Sequence, residues 1–403
     1  MTLTPPEQTV LLLTTAKKTL KTDLVTGTYR RYQELARTGK TFGFRLVAAF
    51  PEDISVKTRT FIARSFTEKV PYAVIGREKL PPVIYNRIST RSDERRYAPL
   101  LKALRKLPSV TVFNPGFFNK WMLLGALKAS PSWPFKLPES GRLNAQMPDG
   151  LDALFSRIEG DEKKVVYLKP IHGHAGLGIL TIEPIEGPPQ PAPTERATYR
   201  PDETFITPCR YRLTLQTASG LKRTRIEHQE ALASFIHALS RREPYMWQKR
   251  VPRPEPPGPS NLGAVDIRTL MQKKSDGRWQ LTGWALRAAP PDGITTHVPH
   301  GGFRPPRLQT LKRLYPDLDL EQFLKRLKSA SHIAARTIDA HYGRTLGELS
   351  LDFALGKEGS LWFLEANSKP MRFDERRIEV AWRRTFWETV TYFMSRTGVY
   401  TGV

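Results

Sequence analysis

Glu348-Leu-Ser-Leu-Asp352-Phe-Ala-Leu-Gly-Lys-Glu-Gly-Ser-Leu-Trp-Phe-Leu-Glu365-Ala-Asn367 is the stretch that decides the fold. Two runs of strand-forming residues flank a turn at Glu358-Gly359, the pattern of an antiparallel hairpin. With that turn as centre, facing residue numbers sum to a constant, and Asp352 falls opposite Glu365. Glu365 and Asn367 are two apart and share a strand face; by strict alternation Leu361 and Phe363 share it too. Facing carboxylates repel unless a cation lies between them. Carboxylate and amide oxygens are hard donors, suited to Mg²⁺ and not to zinc. The competing reading, a solvated face with incidental acids, fits poorly with an apolar row that ends in an acid and an amide.

Working outward, Val265-Asp266-Ile-Arg268 and Trp284-Ala-Leu-Arg287 flank Asp276-Gly277, a strong hairpin signal. The same arithmetic puts Asp266 across from Arg287. It predicts an ion pair that leaves Arg268 free, its planar fork suited to phosphate oxygens. Simple cross-strand salt bridging is the alternative. Upstream, Val165-Val-Tyr-Leu-Lys169-Pro-Ile-His172-Gly173-His174-Ala-Gly176-Leu-Gly178-Ile-Leu-Thr-Ile predicts a strand, a glycine-rich turn and a second strand. Glycines let backbone N–H groups approach a phosphate, and Lys169 could neutralise it; an ordinary turn would carry the same letters. No Gly-Lys-Ser/Thr opens a helix, so this is no Walker A loop, and the strand that follows excludes a dinucleotide fingerprint. His172 and His174 lack a third ligand nearby and read as loop histidines facing solvent. Lys120 starts an amphipathic helix, either reaching into a cleft or solvated. Tyr245-Met-Trp-Gln248-Lys249-Arg-Val is a strand with a polar residue in an apolar run, either a core strand or a hinge whose backbone meets an adenine edge.

The chain has 403 residues, with 63 Lys+Arg against 39 Asp+Glu and a net charge of +24, which favours an anionic partner. A single cysteine, Cys209, excludes an internal disulfide and a cysteine-based zinc site and fits a reducing compartment. Apolar runs such as Val10–Leu13 are far short of a membrane span, and no secretion signal opens the sequence. The expectation is a soluble, cytoplasmic protein of several lobes. Strands are expected at Val10–Leu13, Phe44–Phe50 and Val83–Ile88, with a helix burying Tyr97, Leu100, Leu101 and Leu104. Further helices are expected at Phe118–Ala129, at Ile226–Leu239, through Phe323, Leu327, Ala330, Ala334 and Ile338, and from Glu375 onward, packed through Trp382, Phe386 and Phe393. Asn86 and Arg87, polar at a strand end, are candidates for a substrate pocket. The proline-rich stretches Glu186–Pro193 and Val251–Pro259 read as surface loops, the second also as a lid. No helix-turn-helix, zinc finger or RNP-like motif points to specific nucleic-acid recognition.

Taken in order, Lys120-Trp121, Lys169-Pro170 with its glycine loop, Gln248, Asp266-x-Arg268, Arg287, Asp352 and Glu365-x-Asn367 resemble the ATP-grasp superfamily. The phrases Val83-Ile-Tyr-Asn86-Arg87-Ile, Phe113-Asn114, Leu137-Pro138, Asp266-Ile-Arg268…Gln272, Thr282-Gly283, His300-Gly301-Gly302 and Glu365-Ala-Asn367-Ser-Lys369-Pro370 resemble its YheC/YheD-type, endospore coat-associated branch, over roughly Pro81 to Arg372. The resemblance implies an α/β and α+β fold of the ATP-grasp kind. It would have an N-terminal α/β pre-ATP-grasp domain (1–112) and two lobes (113–250 and 251–403) enclosing a nucleotide cleft. It implies ATP with two Mg²⁺ ions, or Mn²⁺ in their place, held by Asp352, Glu365 and Asn367. Lys120, Lys169, His174 and Gly176 would meet the phosphates, Gln248 and Lys249 the adenine. Arg268 and Arg287 would be catalytic, facing the γ-phosphate and an acyl phosphate. His174 departs from the serine usual in that loop, and the insert Pro252–Ser260 is unusually rich in proline. The implied activity is ligation of a carboxylate to an amine, on acidic substrates, by a spore-associated protein. The alternatives are a kinase acting on a hydroxyl or polyanionic acceptor, and a non-catalytic basic coat or scaffold protein.

Overall fold

The computed structural model describes residues 8–15, 28–67, 72–114, 116–129, 133–143, 165–173, 176–185, 210–254 and 261–398. Three sheets carry the architecture. The first has seven strands, β1 (Gln8–Thr14), β2 (Phe44–Ala49), β3 (Ile54–Ser55), β4 (Thr60–Ser65), β5 (Ala73–Lys79), β6 (Val83–Arg87) and β7 (Thr111–Phe113), in the order β3-β4-β2-β1-β6-β7 with β5 on β4. Its centre, β2-β1-β6-β7, is parallel. A parallel strand is covered on both faces. Val10 and Leu12 pack with Tyr32, Leu35 and Trp387, while Leu11 and Leu13 pack with Leu101 and Leu104. That double burial is why Val10–Leu13 is an unbroken apolar run.

The second sheet has six strands: β8 (Ser140–Arg142), β9 (Val166–Pro170), β10 (Leu180–Ile185), β11 (Arg210–Thr217), β12 (Gly220–Ile226) and β13 (Tyr245–Lys249), ordered β12-β11-β10-β9-β13-β8. Helix Gln229–Ser240 covers it through Leu232 and Ile236. The helix expected from Ile226 thus starts later, because Ile226 pairs with Tyr211 as the last residue of β12. Helix Lys120–Lys128 is capped by Asn119, whose Oδ1 accepts from Met122 N at 3.0 Å.

The third sheet is antiparallel, β15-β14-β16-β17, built from β14 (Val265–Lys273), β15 (Trp279–Ala288), β16 (Glu348–Leu355) and β17 (Leu361–Asn367). Helix Leu320–His341 packs on it with Phe323, Leu327, Ala330, Ala334 and Ile338, the expected stripe. The final helix, Arg376–Ser395, packs against β14, β15 and the first sheet's helix Thr28–Lys40. Trp387 is central to that junction: it stacks on Phe44 at 5.3 Å, and Gly39 leaves it room, since a Cβ there would lie 2.3 Å from the ring.

One expectation is corrected by a β-bulge. Asp352 pairs with Glu365, but Phe353 pairs with Phe363, so Leu364 is the extra residue. The bulge reverses the alternation: Leu361 and Phe363 enter the core, while Glu365 and Asn367 turn to the opposite face. The acid therefore does not continue an apolar row. Of the proline-rich stretches, Glu186–Pro193 lies outside the described residues, as do His174, Cys209 and everything from Glu255 to Ser260.

Candidate active site

A cleft runs between the second and third sheets, lined by Lys120, Lys169 and Gln248 on one side and by Arg268, Asp352 and Glu365 on the other. Asp352 and Glu365 face each other in register, as the hairpin arithmetic predicts. Asn367 Nδ2 lies 3.5 Å from Asp352 Oδ2 and 3.4 Å from Glu365 Oε1, so the three polar ends converge. A half-turn of the amide would present its oxygen instead. Among the described residues no group of three or more His, Cys, Asp and Glu side chains could hold a metal. Two carboxylates and an amide oxygen are a hard, incomplete set that fits Mg²⁺, which keeps water or phosphate oxygens in its remaining positions.

The charges around this set are arranged differently from the expectation. Asp266 and Arg287 do sit opposite each other on the backbone, yet they do not form the ion pair. Asp266 accepts from Arg253 Nη2 at 2.7 Å and from Thr296 Oγ1 at 2.7 Å. Arg287 donates to both oxygens of Glu375, at 2.9 and 3.3 Å, and is not among the cleft-lining residues. Arg268 is not free: Nε and Nη2 clasp Asp352 at 2.7 and 2.9 Å. The reason is strand order. β16 lies on the other side of β14, with Asp352 directly beside Arg268, and hairpin arithmetic sees only one neighbour of each strand.

Burial raises the Asp352 carboxyl to about 6, against the pull of Arg268. Burial also pushes Glu365 upward, but Lys120, Arg268 and Lys169 together hold it below its ordinary range. A divalent cation between the two would favour both ionised forms. Burial lowers Lys169 to about 8, with Glu365 opposing and Lys120 assisting. Lys120 Nζ donates to the Gly173 carbonyl and stands 3.7 Å from Glu365 Oε2, so it ties the glycine turn to the β16–β17 hairpin. Gly176 lines the cleft at φ +75, where a Cβ would lie 2.7 Å from Thr295 Oγ1. Glycine meets both the conformation and the close approach.

The hinge reading needs adjustment. Gln248 is buried, accepts from Lys169 Nζ at 2.5 Å and donates to Ser140 Oγ at 3.2 Å. Its strand is paired on both edges, with β9 and β8, and Lys249 N donates to Glu139 O at 2.8 Å. The backbone comes free one step later: Arg250 and Val251 line the cleft and form no main-chain hydrogen bond among the described residues.

A second cavity opens between the first sheet and the β16–β17 hairpin, lined among others by Thr14, Tyr32, Arg87, Phe117 and Asn367. Arg268, His297 and Glu365 line both spaces. Arg87 is in this lining, whereas Asn86 is fully buried and accepts from Ile88 N at 3.1 Å. His297 was not singled out in the sequence. Burial, Arg268 and His300 lower it to about 4, so its ring is neutral. It belongs to a loop, Ile294 to His297, with no periodicity to reveal it; the nearby His300-Gly301-Gly302 phrase was the one signal.

Compared with known proteins, residues 109–394 match the family described as YheC/D like ATP-grasp. The chain is 27% identical over 300 residues to the endospore coat-associated protein YheD of Bacillus subtilis, covering 73% of this chain and 57% of that protein. It therefore spans little more than half of that relative. It is 24% identical over 357 residues to the endospore coat-associated protein YheC of the same bacterium, covering 86% of each. Among solved structures, D-alanyl-alanine synthetase A from Vibrio cholerae superimposes over 97% of this chain and 98% of its own, with a TM-score of 0.55 and 11% identity, a likeness of fold.

Proposed function

The chain belongs to the YheC/D-like ATP-grasp family and has the mixed α/β ATP-grasp fold, and on that premise we propose that it is an ATP- and Mg²⁺-dependent carboxylate–amine ligase. The observation that carries this reading is that two spaces adjoin at Arg268, His297 and Glu365: a cleft with nucleotide-binding chemistry lies beside a cavity with room for an acid and an amine.

In this reading the free main chain of Arg250 and Val251 receives the adenine edge. Gly176 lets the glycine turn approach the phosphates closely, while Lys120 and Lys169 neutralise them. Asp352, Glu365 and Asn367 hold the divalent ions, which when bound offset charge at the transferring phosphoryl group. Arg268, fixed in direction by Asp352, meets the charge that develops as the substrate carboxylate attacks the γ-phosphate and ADP leaves. The amine then attacks the acyl carbon, the C–O bond to phosphate breaks, and phosphate departs with its electron pair. The departing phosphate accepts the proton that the amine gives up, while neutral His297 lines the junction beside it. Arg287 supports the site through space and not by contact. The division proposed is an N-terminal α/β unit (1–112) and two lobes (113–250 and 251–403), although β7 runs across the first boundary and the last helix reaches back to the first sheet's helix Thr28–Lys40. The relatives' names extend to this chain as an association with the spore; among the described residues no helix is long and apolar enough to cross a membrane.

The test is hydroxylamine trapping. The protein, Mg·ATP and a panel of amino and hydroxy acids should yield hydroxamate together with ADP. A kinase would release ADP and phosphorylate its acceptor without hydroxamate, and a scaffold protein would do neither.

A further inference from the structure

The helix Leu320–His341 carries Lys328, His332 and Arg336 at i, i+4 and i+8, one stripe about 12 Å long at 1.5 Å per residue. Facing the stripe is the turn between β14 and β15, which contributes Lys274 and Arg278. Trp279, Gln280 and Leu281 floor the groove between them. This open groove has a volume of about 860 Å³, has no acidic residue in its lining and shares no residue with the cleft.

Like charges across a concave surface repel, and i,i+4 cations on a helix do so as well. Little among the described residues offsets this. Arg278 pairs with Asp276 at 2.6 Å, but both are exposed and water screens the pair. Lys274, Lys328 and Arg336 form no ion pair with any described residue. His332 Nδ1 donates to the Lys328 carbonyl at 2.7 Å, which fixes the ring within the stripe. The turn is held as firmly: Gly277, at φ +78, sits against Tyr392 of the final helix so closely that a Cβ would lie 2.4 Å from the ring. Two supported walls thus present unbalanced positive charge to one space.

We propose that this groove is a docking site for an acidic polypeptide segment, held in extended form with its carboxylates on Lys274, Lys328 and Arg336. The floor decides the class of partner. Trp279 is only 7% exposed, and the lining offers no open aromatic face of the kind that stacks nucleic-acid bases. The half-buried Leu281 instead suits the aliphatic stem of a glutamate side chain. The site stands apart from the ATP reading.

The experiment measures binding of a short fluorescein-labelled poly-L-glutamate by anisotropy at low salt. The groove variant is K274E/K328E/R336E; the control, K57E/K79E/K102E, makes the same charge change at exposed lysines elsewhere. The groove variant should lose about tenfold or more in affinity, and the control should stay within about threefold. K274Q/K328Q/R336Q, which adds no repulsion, should show most of the same loss, and circular dichroism confirms folding. Equal losses in groove and control variants would mean diffuse surface attraction and overturn the proposal. So would a single-stranded oligonucleotide of equal charge binding more tightly than polyglutamate and losing affinity in the groove variant.

Discussion

Arg268 and Asp352 lie side by side on neighbouring strands and are joined by two hydrogen bonds, at 2.7 and 2.9 Å. The pair links the proposed phosphate clamp to the proposed metal set. It holds the guanidinium in one direction before nucleotide arrives, which removes an ordering cost at binding.

Asp352→Asn should therefore damage two functions. Without its carboxylate the metal set loses a charge and Arg268 loses its anchor. Mg·AMPPNP affinity should fall by about tenfold or more, and AMPPNP affinity in EDTA by less, since without metal only the lost anchor of Arg268 counts. Titration calorimetry with and without Mg²⁺ separates the two, and equal affinity of wild type and variant in Mg²⁺ would remove Asp352 from the metal set.

Lys169 provides a pH signature. Burial lowers its free amine to about 8, so above that pH the ligand-free protein carries it mostly neutral. Triphosphate charge nearby favours the ammonium form and raises its pKa. At pH 8.5 nucleotide binding should take up a fraction of a proton, and this uptake should vanish near pH 6.5, where the amine is charged in both states. Calorimetry in buffers of different ionisation enthalpy reads the uptake directly, and Lys169→Met should abolish it.

Gly176→Ala tests the turn. The left-handed φ costs an alanine about 1 kcal/mol, and the 2.7 Å approach to Thr295 Oγ1 forces the loop away. We expect weaker nucleotide binding with a small change in Tm. Adding Thr295→Ala should recover part of the affinity; no recovery would show that the contact with Thr295 does not matter.

Glu348→Gln addresses stability. Glu348 is 1% exposed, accepts from Tyr85 Oη and from Trp382 Nε1 at 2.7 Å, and lies 3.8 Å from Arg87. Neutralising it leaves Arg87 without its buried counter-charge and should cost about 3 kcal/mol, with Tm falling by several degrees. Thermal unfolding followed by near-ultraviolet circular dichroism gives the value.

The pairings Asp266–Arg287 and Asp352–Glu365, the run Val10–Leu13 as a strand and the apolar stripe of helix Leu320–His341 were legible because they depend on short-range periodicity and turn chemistry. The convergence of Asp352 and Glu365 followed from counting residues about a single turn. The partner of Arg268 did not, since β16 returns beside β14 after a long excursion through two helices. His297 was equally hidden, because a loop residue's neighbours are set by what packs over it.

The polar ends of Glu365 and Asn367 mark the boundary most clearly. The sequence alone determined that an acid and an amide two residues apart share one strand face, because side chains alternate along a strand. Which face that would be was decided only by the tertiary structure. The bulge at Leu364 lets Phe363 fill the core beside Phe353 and Phe135, and the same extra residue turns Glu365 toward the cleft.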